Sequence, residues 1–463
     1  MVEKMKVHLI GIGGSGMSPI AKVLLEQGWE VSGSDLHYTA TIKNLQALGA
    51  VIHTGHNAAN LNSPDLVITS TAIGPDNPEL LTAKAQGVQI LHRSEMLAML
   101  LNQKKGIAVA GAHGKTTITS MIAVIMERSG LDPTVLIGGE LSELGGSARS
   151  GQSPYLVAEA DESDGSFLRY KPYAAVVSNI EADHLENFNG DFTKIVENFA
   201  QFLENIKPEG LAVLGTDDPL VRKIQERCRV PVVSYGLEKA DYTASSVEMS
   251  NGITRFELVV KGEPQGTIEL RVPGRHNISN ALAAIAVADH LGVDFAAISK
   301  ALKEFHGANR RFQFVGNVND ILIVDDYAHH PTEIKATIRA AKEGWNRRVI
   351  AVFQPHRYTR TQFLFKEFTQ SFGLADETII ANIYSPAPDK PIPGITAAGL
   401  AQAIAEESGR RVRQFDDHDE IIQYLAGKLR PGDMVITMGA GDIWLVAQQL
   451  AEALRTGLGN AVG

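Results

Sequence analysis

The sequence predicts an α/β protein with mostly parallel sheets and several domains. Short apolar, β-rich runs alternate with Gly-rich turns and helical patterns, which is typical of parallel sheets covered on both faces. The length of 463 residues suggests about three domains. Three segments begin with or contain such a unit, and the apolar runs include residues 6–10, 65–70, 106–110, 174–178, 348–353 and 434–438.

Composition excludes several classes of protein. The chain has 43 basic and 53 acidic residues and a net charge of −10, which argues against broad binding of nucleic acid and against a basic membrane-facing surface. Cys228 is the single cysteine, so no intrachain disulfide framework is possible. No apolar run approaches the ~18–20 residues of a membrane span, and residues 1–10 do not have the pattern of a secretory signal. We therefore expect a cytoplasmic protein.

Two joints divide the chain into the expected domains, residues 1–103, 104–311 and 312–463. The first joint is the polar stretch around residue 104, and the second follows a helical stretch at residues 296–305. Residues 241–271 show alternating apolar patterning around Asn251-Gly252, a hairpin signal. We expect antiparallel strands there, added to the middle domain.

The first glycine cluster follows the strand pattern at residues 6–10 and opens a helical pattern at residues 18–26. It reads Gly11-Ile12-Gly13-Gly14-Ser15-Gly16, and Asp35 follows a second predicted strand. Such a turn directs backbone N–H groups and a helix dipole at a diphosphate. The pattern alone suggests NAD. Its residues, however, indicate only that a diphosphate binds, and they do not identify a nicotinamide. A purely structural turn is the alternative.

The second glycine cluster predicts a site for a nucleoside triphosphate. It reads Gly111-Ala112-His113-Gly114-Lys115-Thr116-Thr117 and stands between a predicted strand and a helical pattern at residues 118–128. Backbone amides cradle phosphates in such loops, the lysine neutralises charge, and the first threonine reaches a metal ion. An incidental Gly-Lys-Thr is the alternative. A dehydrogenase has little use for ATP. The presence of both clusters in one chain therefore favours an enzyme that couples ATP cleavage to a nucleotide-linked substrate.

Two acidic stretches, residues 159–164 and 179–184, each follow an apolar run. Open α/β sheets place ligands at the carboxyl ends of their strands. Glu159 and its neighbours could hold Mg²⁺ against phosphates, and His184 would also suit Mn²⁺. Solvated loop acids and a surface histidine are the alternative.

Three further motifs carry polar side chains. Asn277 and Asn280 share a helix face and could bind a purine edge, or they could cap the helix. Arg311, at the second joint, could swing onto a phosphate, or belong to a surface basic pair. The stretch at residues 325–331 contains two adjacent histidines, but no cysteine cluster completes a zinc site.

The last motif is Gln354-Pro355-His356-Arg357-Tyr358-Thr359-Arg360-Thr361. If Pro355 begins a helix, Arg357 and Arg360 lie on one face and form a fork suited to a carboxylate. His356 could orient or deprotonate an amine. A solvated basic helix start is the alternative.

In this order, and along nearly the whole chain, the motifs resemble the Mur ligase family. The most specific parts are residues 326–331 and 354–361. The resemblance implies a Rossmann-like N-terminal domain that binds a UDP-sugar, a central P-loop-type ATPase domain with a mostly parallel sheet, and a Rossmann-like C-terminal domain that binds an amino acid. It implies a ligase of peptidoglycan precursor synthesis: ATP phosphorylates the carboxylate of UDP-N-acetylmuramate, and the amine of L-alanine attacks the acyl phosphate. ATP as co-substrate and Mg²⁺, or Mn²⁺, are the implied cofactors.

The resemblance also implies roles for individual residues. The UDP-sugar site is expected to contain Gly11, Gly13, Gly14, Ser15, Gly16, Met17, Asp35, Ser70 and Thr71. The ATP site is expected to contain Gly111, Ala112, His113, Gly114, Lys115, Thr116, Thr117, Asn277, Asn280, Arg311 and Asp326. The amino-acid pocket is expected to contain Tyr327, His356, Arg357 and Arg360. Catalysis is expected from Lys115, Arg311 and His356, and metal binding from Thr116, Glu159 and His184. Several relatives carry a carbamylated lysine beyond the metal histidine, where this chain has Asn198 and Phe199, as expected for the alanine-adding branch.

Three other functions remain open from the sequence. A recycling ligase would attach a whole peptide to the same sugar nucleotide and should have a more open acceptor site. A nicotinamide-dependent dehydrogenase would explain the first glycine cluster but leave the second unused. A non-catalytic nucleotide switch would hydrolyse ATP slowly and form no amide.

Overall fold

A computed structural model describes residues 5–183, 185–188, 190–386 and 389–457 of the chain. The chain divides into two compact units. The first comprises Met1–Thr243, Val259–Glu263 and Asn280–Leu302, and the second comprises Ala244–Leu258, Pro264–Ser279 and Lys303–Gly463. The domain boundaries predicted at residues 103 and 311 stay predictions.

The first sheet is a five-stranded parallel sheet in the first unit. Its elements are β1 (Lys6–Ile10), α1 (Ser18–Glu26), β2 (Glu30–Asp35), α2 (Ala40–Ala47), β3 (Val51–Thr54), a 3₁₀ turn (Ala58–Asn60), β4 (Leu66–Thr69), α3 (Pro78–Ala85), β5 (Gln89–His92) and α4 (Arg93–Gln103). The strand order is β3-β2-β1-β4-β5. The order reverses beside β1, and ligands of open α/β sheets bind at such a switch point. The first glycine cluster follows β1 and therefore lies there.

The central sheet has ten strands. The elements are β6 (Lys105–Ala110), α5 (Lys115–Arg128), β7 (Thr134–Leu141), β8 (Gly146–Arg149), β9 (Tyr155–Glu159), β10 (Ala174–Val177), α6 (Phe192–Glu204), β11 (Leu211–Gly215), α7 (Pro219–Ile224), β12 (Val232–Tyr235), β13 (Tyr242–Ser250), β14 (Ile253–Val260), β15 (Glu263–Leu270), α8 (Arg275–His290) and α9 (Phe295–Lys303). Short 3₁₀ turns lie at Ser142–Leu144, Ser166–Arg169, Leu185–Phe188 and Gln225–Arg227. The order is β15-β14-β13-β12-β11-β10-β6-β9-β7-β8. From β13 to β7 all neighbouring pairs are parallel, and β8 is antiparallel to β7.

The central sheet contains the strands predicted at residues 241–271, and the helix predicted at residues 118–128 follows its strand β6. The strands expected at residues 241–271 are present as β13, β14 and β15, which are neighbours in the sheet. Asn251 and Gly252 alone connect β13 to β14, with positive φ of 50° and 80°, and so short a connection requires an antiparallel pair. The helix predicted at residues 118–128 begins earlier, at Lys115. The lysine and both threonines of the second glycine cluster therefore lie in its first turn, where backbone N–H groups have no partner within the helix.

The third sheet lies in the second unit and has six strands. The elements are β16 (Gln313–Val318), β17 (Ile321–Asp326), α10 (Pro331–Gly344), β18 (Arg348–Phe353), α11 (Tyr358–Phe363), α12 (Phe365–Thr369), β19 (Glu377–Ile380), α13 (Ala397–Ser408), β20 (Val412–Gln414), α14 (His418–Ala426), β21 (Asp433–Met438) and α15 (Trp444–Thr456). The order is β16-β17-β21-β18-β19-β20, and only β16 is antiparallel to its neighbour. Asp326, Phe353 and Met438 end adjacent strands in register, so the loops that follow them meet at one edge.

Helices cover both faces of the third sheet. Along β18, Val349, Ala351 and Phe353 pack into one apolar core, while Ile350 and Val352 pack into another. This alternation is the two-residue period of a strand that is buried on both sides. The predicted α/β class with mostly parallel sheets is confirmed. Among the described residues, every helix is too short or too polar to cross a bilayer.

One apolar core extends through the first unit. Leu24 of α1 and Val7 of β1 belong to the same buried cluster as Ala148 of β8 in the central sheet. Polar contacts reinforce this packing, since Lys22 Nζ donates to Gly145 O at 3.2 Å. The first and central sheets are therefore held together by side chains of α1.

Candidate functional site

The first glycine turn is fixed by the carboxyl end of β2. The N–H groups of Gly11 and Ile12 donate to the carbonyl of Ser34, at 2.8 and 3.0 Å. The N–H of Gly13 donates to Asp35 Oδ2 at 3.0 Å. Gly11 has φ +78°, a conformation that favours glycine. The structure therefore places Asp35, predicted from spacing alone, against the turn.

The segment after β4 borders the same turn. A Cβ atom on Gly11 would lie 3.2 Å from Ile73 Cδ1, and the N–H of Ile73 donates to Ser70 O at 3.1 Å. Ser70 is thus linked through Ile73 to the first glycine turn, and the binding roles of Ser70 and Thr71 stay predictions. Met17 differs, because its side chain is 2% exposed and lies in the core.

Arg93, at the start of α4, was not predicted as a site residue. A Cβ atom on Gly16 would lie 2.9 Å from Arg93 Nη1, so the guanidinium packs against the turn. Arg93 Nη2 also lies 3.7 Å from Asp161 Oδ2, in the acidic stretch that follows β9. Arg93 therefore bridges the first glycine turn and the central sheet. No motif identifies it, because it is distant in sequence from both partners.

The second glycine loop is shaped by the residues that follow β10. The N–H of Ala112 donates to Asn179 O at 3.1 Å, and the N–H of His113 donates to Asn179 Oδ1 at 2.9 Å. The carbonyl of His113 accepts from Ser178 Oγ at 2.6 Å. A Cβ atom on Gly111, which has φ +135°, would lie 2.0 Å from Ser178 Oγ. Asn179 belongs to a motif recognised in the sequence, but this supporting role was not predicted.

Lys115 points back across the loop. Its Nζ donates to Gly111 O at 2.6 Å and to the two carboxylate oxygens of Glu162 at 2.8 and 2.9 Å. Burial lowers the pKa of Lys115, but the charges of Glu162 and Asp161 outweigh burial, so the net shift is upward. A charged ammonium group therefore stands where the triphosphate is expected.

The expected metal ligands approach one glycine pair in β7. The N–H of Gly138 donates to Glu159 Oε1 at 2.7 Å, and a Cβ atom on Gly139 would lie 3.2 Å from Thr116 Cγ2. A hydroxyl and a carboxylate oxygen are donors that suit Mg²⁺. The third expected ligand, His184, lies outside the described residues.

The two asparagines of α8 are inside the helix, so the alternative that they cap it is wrong. Asn277 and Asn280 are 5% and 8% exposed. A Cβ atom on Gly114 would lie 2.6 Å from Asn280 Oδ1, which places Asn280 against the second glycine loop. Asn277 Nδ2 donates to Pro273 O at 2.7 Å.

In the second unit, Asp326 closes the turn after β17. Its carboxylate accepts the N–H groups of Phe312 and Ala328, at 2.8 and 2.7 Å. Burial raises the pKa of Asp326 to about 6, despite the opposing effect of Arg311. The carboxylate is therefore positioned by backbone N–H groups and only 7% exposed.

Arg310 and Arg311 do not form a surface basic pair. Arg310 Nε pairs with Asp325 Oδ2 at 3.0 Å, and its Nη2 donates to Gly439 O at 2.6 Å. Arg311 lies over the ring of Tyr327 at 5.3 Å, and its Nη1 lies 3.4 Å from Glu333. Arg310 thus ties together strand ends of the third sheet, while Arg311 lies beside a residue of the expected amino-acid pocket.

The expected amino-acid pocket is a row of rings that ends at an arginine. Tyr327 contacts His329 edge-on at 5.3 Å between ring centroids, and His329 is 6.2 Å from His356. His356 stacks on Tyr384 at 5.7 Å, and Arg360 Nη1 lies 3.1 Å from His356 Nδ1. Burial, together with Arg360 and His329, lowers the pKa of His356 to about 3. His356 is therefore neutral at physiological pH and can accept a hydrogen bond.

The helix expected from Pro355 is wrong, because α11 begins at Tyr358. His356 forms an isolated parallel β-bridge with Tyr384, and Arg357 has φ +70°, which is incompatible with a helix. Asp389 caps α11 from a distant loop by accepting the N–H of Tyr358 at 2.8 Å. Arg357 and Arg360 therefore do not share a helix face. Arg357 follows His356 in the chain, and Arg360 contacts the His356 ring.

The two adjacent histidines have different surroundings. His330 is the N-cap of α10 and forms a capping box with Glu333. His329 faces Tyr327 and His356. His330 therefore caps a helix, whereas His329 belongs to the row of rings in the expected amino-acid pocket.

Sequence models of one family match successive parts of the chain. The Mur ligase family catalytic domain matches residues 6–105, the Mur ligase middle domain residues 109–288, and the Mur ligase glutamate ligase domain residues 310–441. The chain belongs to the Mur ligase family. Its α/β architecture is the three-domain architecture of Mur ligases.

Individual Mur ligases match nearly the whole chain. UDP-N-acetylmuramate–L-alanine ligase of Pelotomaculum thermopropionicum is 49% identical, covering 98% of this chain and 99% of its own. The enzyme of the same name from Desulforamulus reducens is 49% identical, covering 97% and 98%. The crystal structure of UDP-N-acetylmuramate-alanine ligase from Thermotoga maritima is 31% identical, with a TM-score of 0.83 and coverage of 98% and 99%.

Other Mur ligase structures are more distant. A murein peptide ligase from Psychrobacter arcticus is 28% identical, with a TM-score of 0.69 and coverage of 99% and 100%. MurF ligase from Thermotoga maritima, solved in complex with ADP, is 20% identical with a TM-score of 0.65, over 92% of this chain and 95% of its own. The latter likeness concerns the fold alone.

Proposed function

We propose that this Mur ligase joins L-alanine to the carboxylate of UDP-N-acetylmuramate at the expense of ATP, in peptidoglycan precursor synthesis. The observation that carries the proposal is the near full-length identity of 49% to enzymes with this activity in their names. The products are UDP-N-acetylmuramoyl-L-alanine, ADP and phosphate. Because the reaction consumes ATP, we place it in the cytoplasm.

The chemistry needs an activated acid. A carboxylate is a poor electrophile, so a carboxylate oxygen first attacks the γ-phosphorus of ATP and ADP leaves. The amine of L-alanine then attacks the acyl carbon, loses a proton and expels phosphate. Holding the amine beside the acyl phosphate supplies much of the acceleration, since effective molarities reach about 10⁵–10⁸ M.

In the first unit, the proposed ligands are two anions on two glycine turns. The first turn, with Asp35, Ser70 and Thr71, receives the UDP part of the sugar nucleotide, and the second, with Lys115, receives the triphosphate. Residues 1–103 and 104–311 are the proposed domains for these two ligands. The ammonium group of Lys115 offsets the repulsion between the carboxylate and the γ-phosphate.

A divalent ion completes the proposed triphosphate site. Thr116 and Glu159 offer the oxygen donors that Mg²⁺ prefers, and Mn²⁺ would also suit a site that includes His184. When bound, the ion neutralises phosphate charge. Asn277, Asn280 and Asp326 are the proposed contacts of the adenosine part of ATP.

Residues 312–463 are the proposed domain for L-alanine. Arg360 and Arg357 are the proposed partners of the amino-acid carboxylate, because a guanidinium group can donate two parallel hydrogen bonds to it. Tyr327 and His356 border the amine, and neutral His356 is proposed to orient it by accepting a hydrogen bond from it. Arg311 is the proposed contact to the transferred phosphate.

The test is phosphate release from ATP with UDP-N-acetylmuramate, with and without L-alanine, followed by mass spectrometry of the nucleotide product. We expect release that depends on both substrates and a product whose mass increases by one alanyl residue. Phosphate release without any amide product would indicate a nucleotide switch. Binding of a nicotinamide cofactor would indicate a dehydrogenase.

A peptide ligase is the second candidate, because a murein peptide ligase shares the fold over nearly the whole chain. Its acceptor is larger, whereas here the rings of His356 and Tyr384 stack directly beside Arg360. Comparing free L-alanine with a tripeptide as acceptor separates the two. A higher kcat/KM for the tripeptide would overturn the proposed substrate.

A further inference from the structure

A buried carboxylate behind the first glycine turn has no role in the chemistry above. Glu79 lies in the first turn of α3, and its side chain is 0% exposed. Its position in the helix is itself fixed, since Asn77 Oδ1 accepts the N–H of Glu79 at 2.9 Å. A buried carboxylate is costly unless it is fully hydrogen-bonded.

Both carboxylate oxygens of Glu79 are occupied. Oε2 accepts from Ser34 Oγ at 2.5 Å and lies 3.4 Å from His8 Nε2. Oε1 accepts from Asn60 Nδ2 at 2.5 Å and from the N–H of Asn57 at 3.2 Å. These partners come from β1, β2 and the 3₁₀ turn after β3. One side chain of α3 therefore joins three segments of the first sheet.

The link to the glycine turn runs through Ser34. The side chain of Ser34 is bound to Glu79, while its carbonyl accepts the N–H groups of Gly11 and Ile12. His56 Nδ1 lies 2.9 Å from Ser34 Oγ, which further restrains this serine. The residue next to Ser34, Asp35, holds the N–H of Gly13. The Glu79 carboxylate therefore supports the first glycine turn through Ser34.

We propose that Glu79 is a positioning residue for the UDP-sugar site: it holds Ser34, and through Ser34 the first glycine turn and Asp35, in the arrangement that receives the nucleoside diphosphate. The proposal rests on the proposed function. A carboxylate suits this role because it accepts several hydrogen bonds on two oxygens, whereas a glutamine amide accepts on one oxygen and turns an NH₂ group toward the donors on the other side. Glu79→Gln keeps the shape of the side chain but leaves donors without an acceptor.

The test compares Glu79→Gln with the unmodified full-length protein. We expect the Kd of UDP, measured by calorimetry, and the KM of UDP-N-acetylmuramate to rise about tenfold, as for the loss of a charged hydrogen-bonding partner. The KM values of ATP and L-alanine should stay unchanged. A general loss of stability would not produce this split.

The matched control is Glu377→Gln. Glu377 is also a buried carboxylate with several partners, but it lies in the third sheet and binds Arg348 and Tyr424. We expect Glu377→Gln to lower the Tm without changing the Kd of UDP. If Glu79→Gln fails to fold, Ser34→Ala is the second variant, because it removes only the hydroxyl link and keeps the carbonyl. It should raise the Kd of UDP in the same selective way.

The outcomes separate two failures. If the unmodified protein does not bind UDP, the proposed function is wrong. If the unmodified protein binds UDP and the folded Glu79→Gln variant, or Ser34→Ala in its place, binds it equally well, only the role of Glu79 is wrong.

Discussion

The ammonium group of Lys115 lies 2.8 Å from the carboxylate of Glu162, within the loop that is expected to hold the triphosphate. Both side chains are largely buried, so the pair interacts in a medium of lower dielectric than water. A phosphate that binds Lys115 must replace Glu162 or share the ammonium group with it. If Lys115 binds the triphosphate as proposed, Glu162 competes with the nucleotide for the ammonium group.

We expect Glu162→Gln to bind ADP about fivefold more tightly in buffer without divalent ions, because the ion pair no longer has to be broken. Calorimetric titration with ADP measures this. Asp164→Asn is the control, because this substitution removes the same charge from the same acidic stretch. Asp164 accepts the N–H of Ser166. Equal gains in the two variants would mean that net charge, and not the pair, governs binding.

We expect Gly111→Ala to abolish ATP binding and to leave UDP binding intact, because its Cβ would lie 2.0 Å from Ser178 Oγ, which holds the loop. Gly130→Ala is the matched control. Gly130 also has positive φ, but its Cβ meets nothing within 4 Å. Gly130→Ala should cost only the backbone strain of roughly 1–2 kcal/mol and keep ATP binding. Measurements of Tm and of both nucleotide affinities compare the two; normal ATP affinity in Gly111→Ala would contradict the loop assignment.

We expect Arg360→Lys to raise the KM of L-alanine by about 10–100-fold, because lysine cannot form the planar double hydrogen bond to a carboxylate. The KM values of ATP and of the UDP-sugar should change little. Arg410→Lys serves as the control, since Arg410 pairs with Asp376 at 3.9 Å and has no proposed ligand contact. Steady-state kinetics with each substrate varied in turn decide the matter. An unchanged KM of L-alanine would remove Arg360 from the pocket.

His356 predicts a defined dependence of stability on pH. Its pKa is about 3 in the folded protein and near 6.5 when unfolded, so below pH 6.5 the unfolded chain binds a proton that the folded chain does not. The free energy of unfolding should therefore decrease as the pH falls from 6.5 toward 3. We expect the Tm of His356→Gln to fall less steeply over this range and to run parallel to that of the unmodified protein above pH 7.5. Parallel curves at all pH values would show that His356 is not held neutral.

The sequence was sufficient to predict the elements that follow from local patterns. Apolar runs and glycine turns identify β1, β6 and the helices after them, because period and turn chemistry are local properties. The spacing of Asp35 was also informative, since β2 neighbours β1 in most sheets of this kind.

Other features depend on contacts between distant residues and have no local signal. The helix start at Tyr358 depends on the bridge from His356 to Tyr384 and on the cap from Asp389, neither of which a pattern around Pro355 reveals. Arg93 and Glu79 lie in ordinary helix starts, and only the fold brings them behind the first glycine turn.

The shared core of α1, β1 and β8 has a practical consequence for isolating residues 1–103, the proposed UDP-sugar domain. Excision after residue 103 would strip the covering from the apolar side of α1 and leave Glu26 without Ser150, whose N–H it accepts. Such a fragment should expose apolar surface and therefore aggregate in solution. Searches for small molecules that occupy the first glycine turn will need a longer polypeptide that keeps β8.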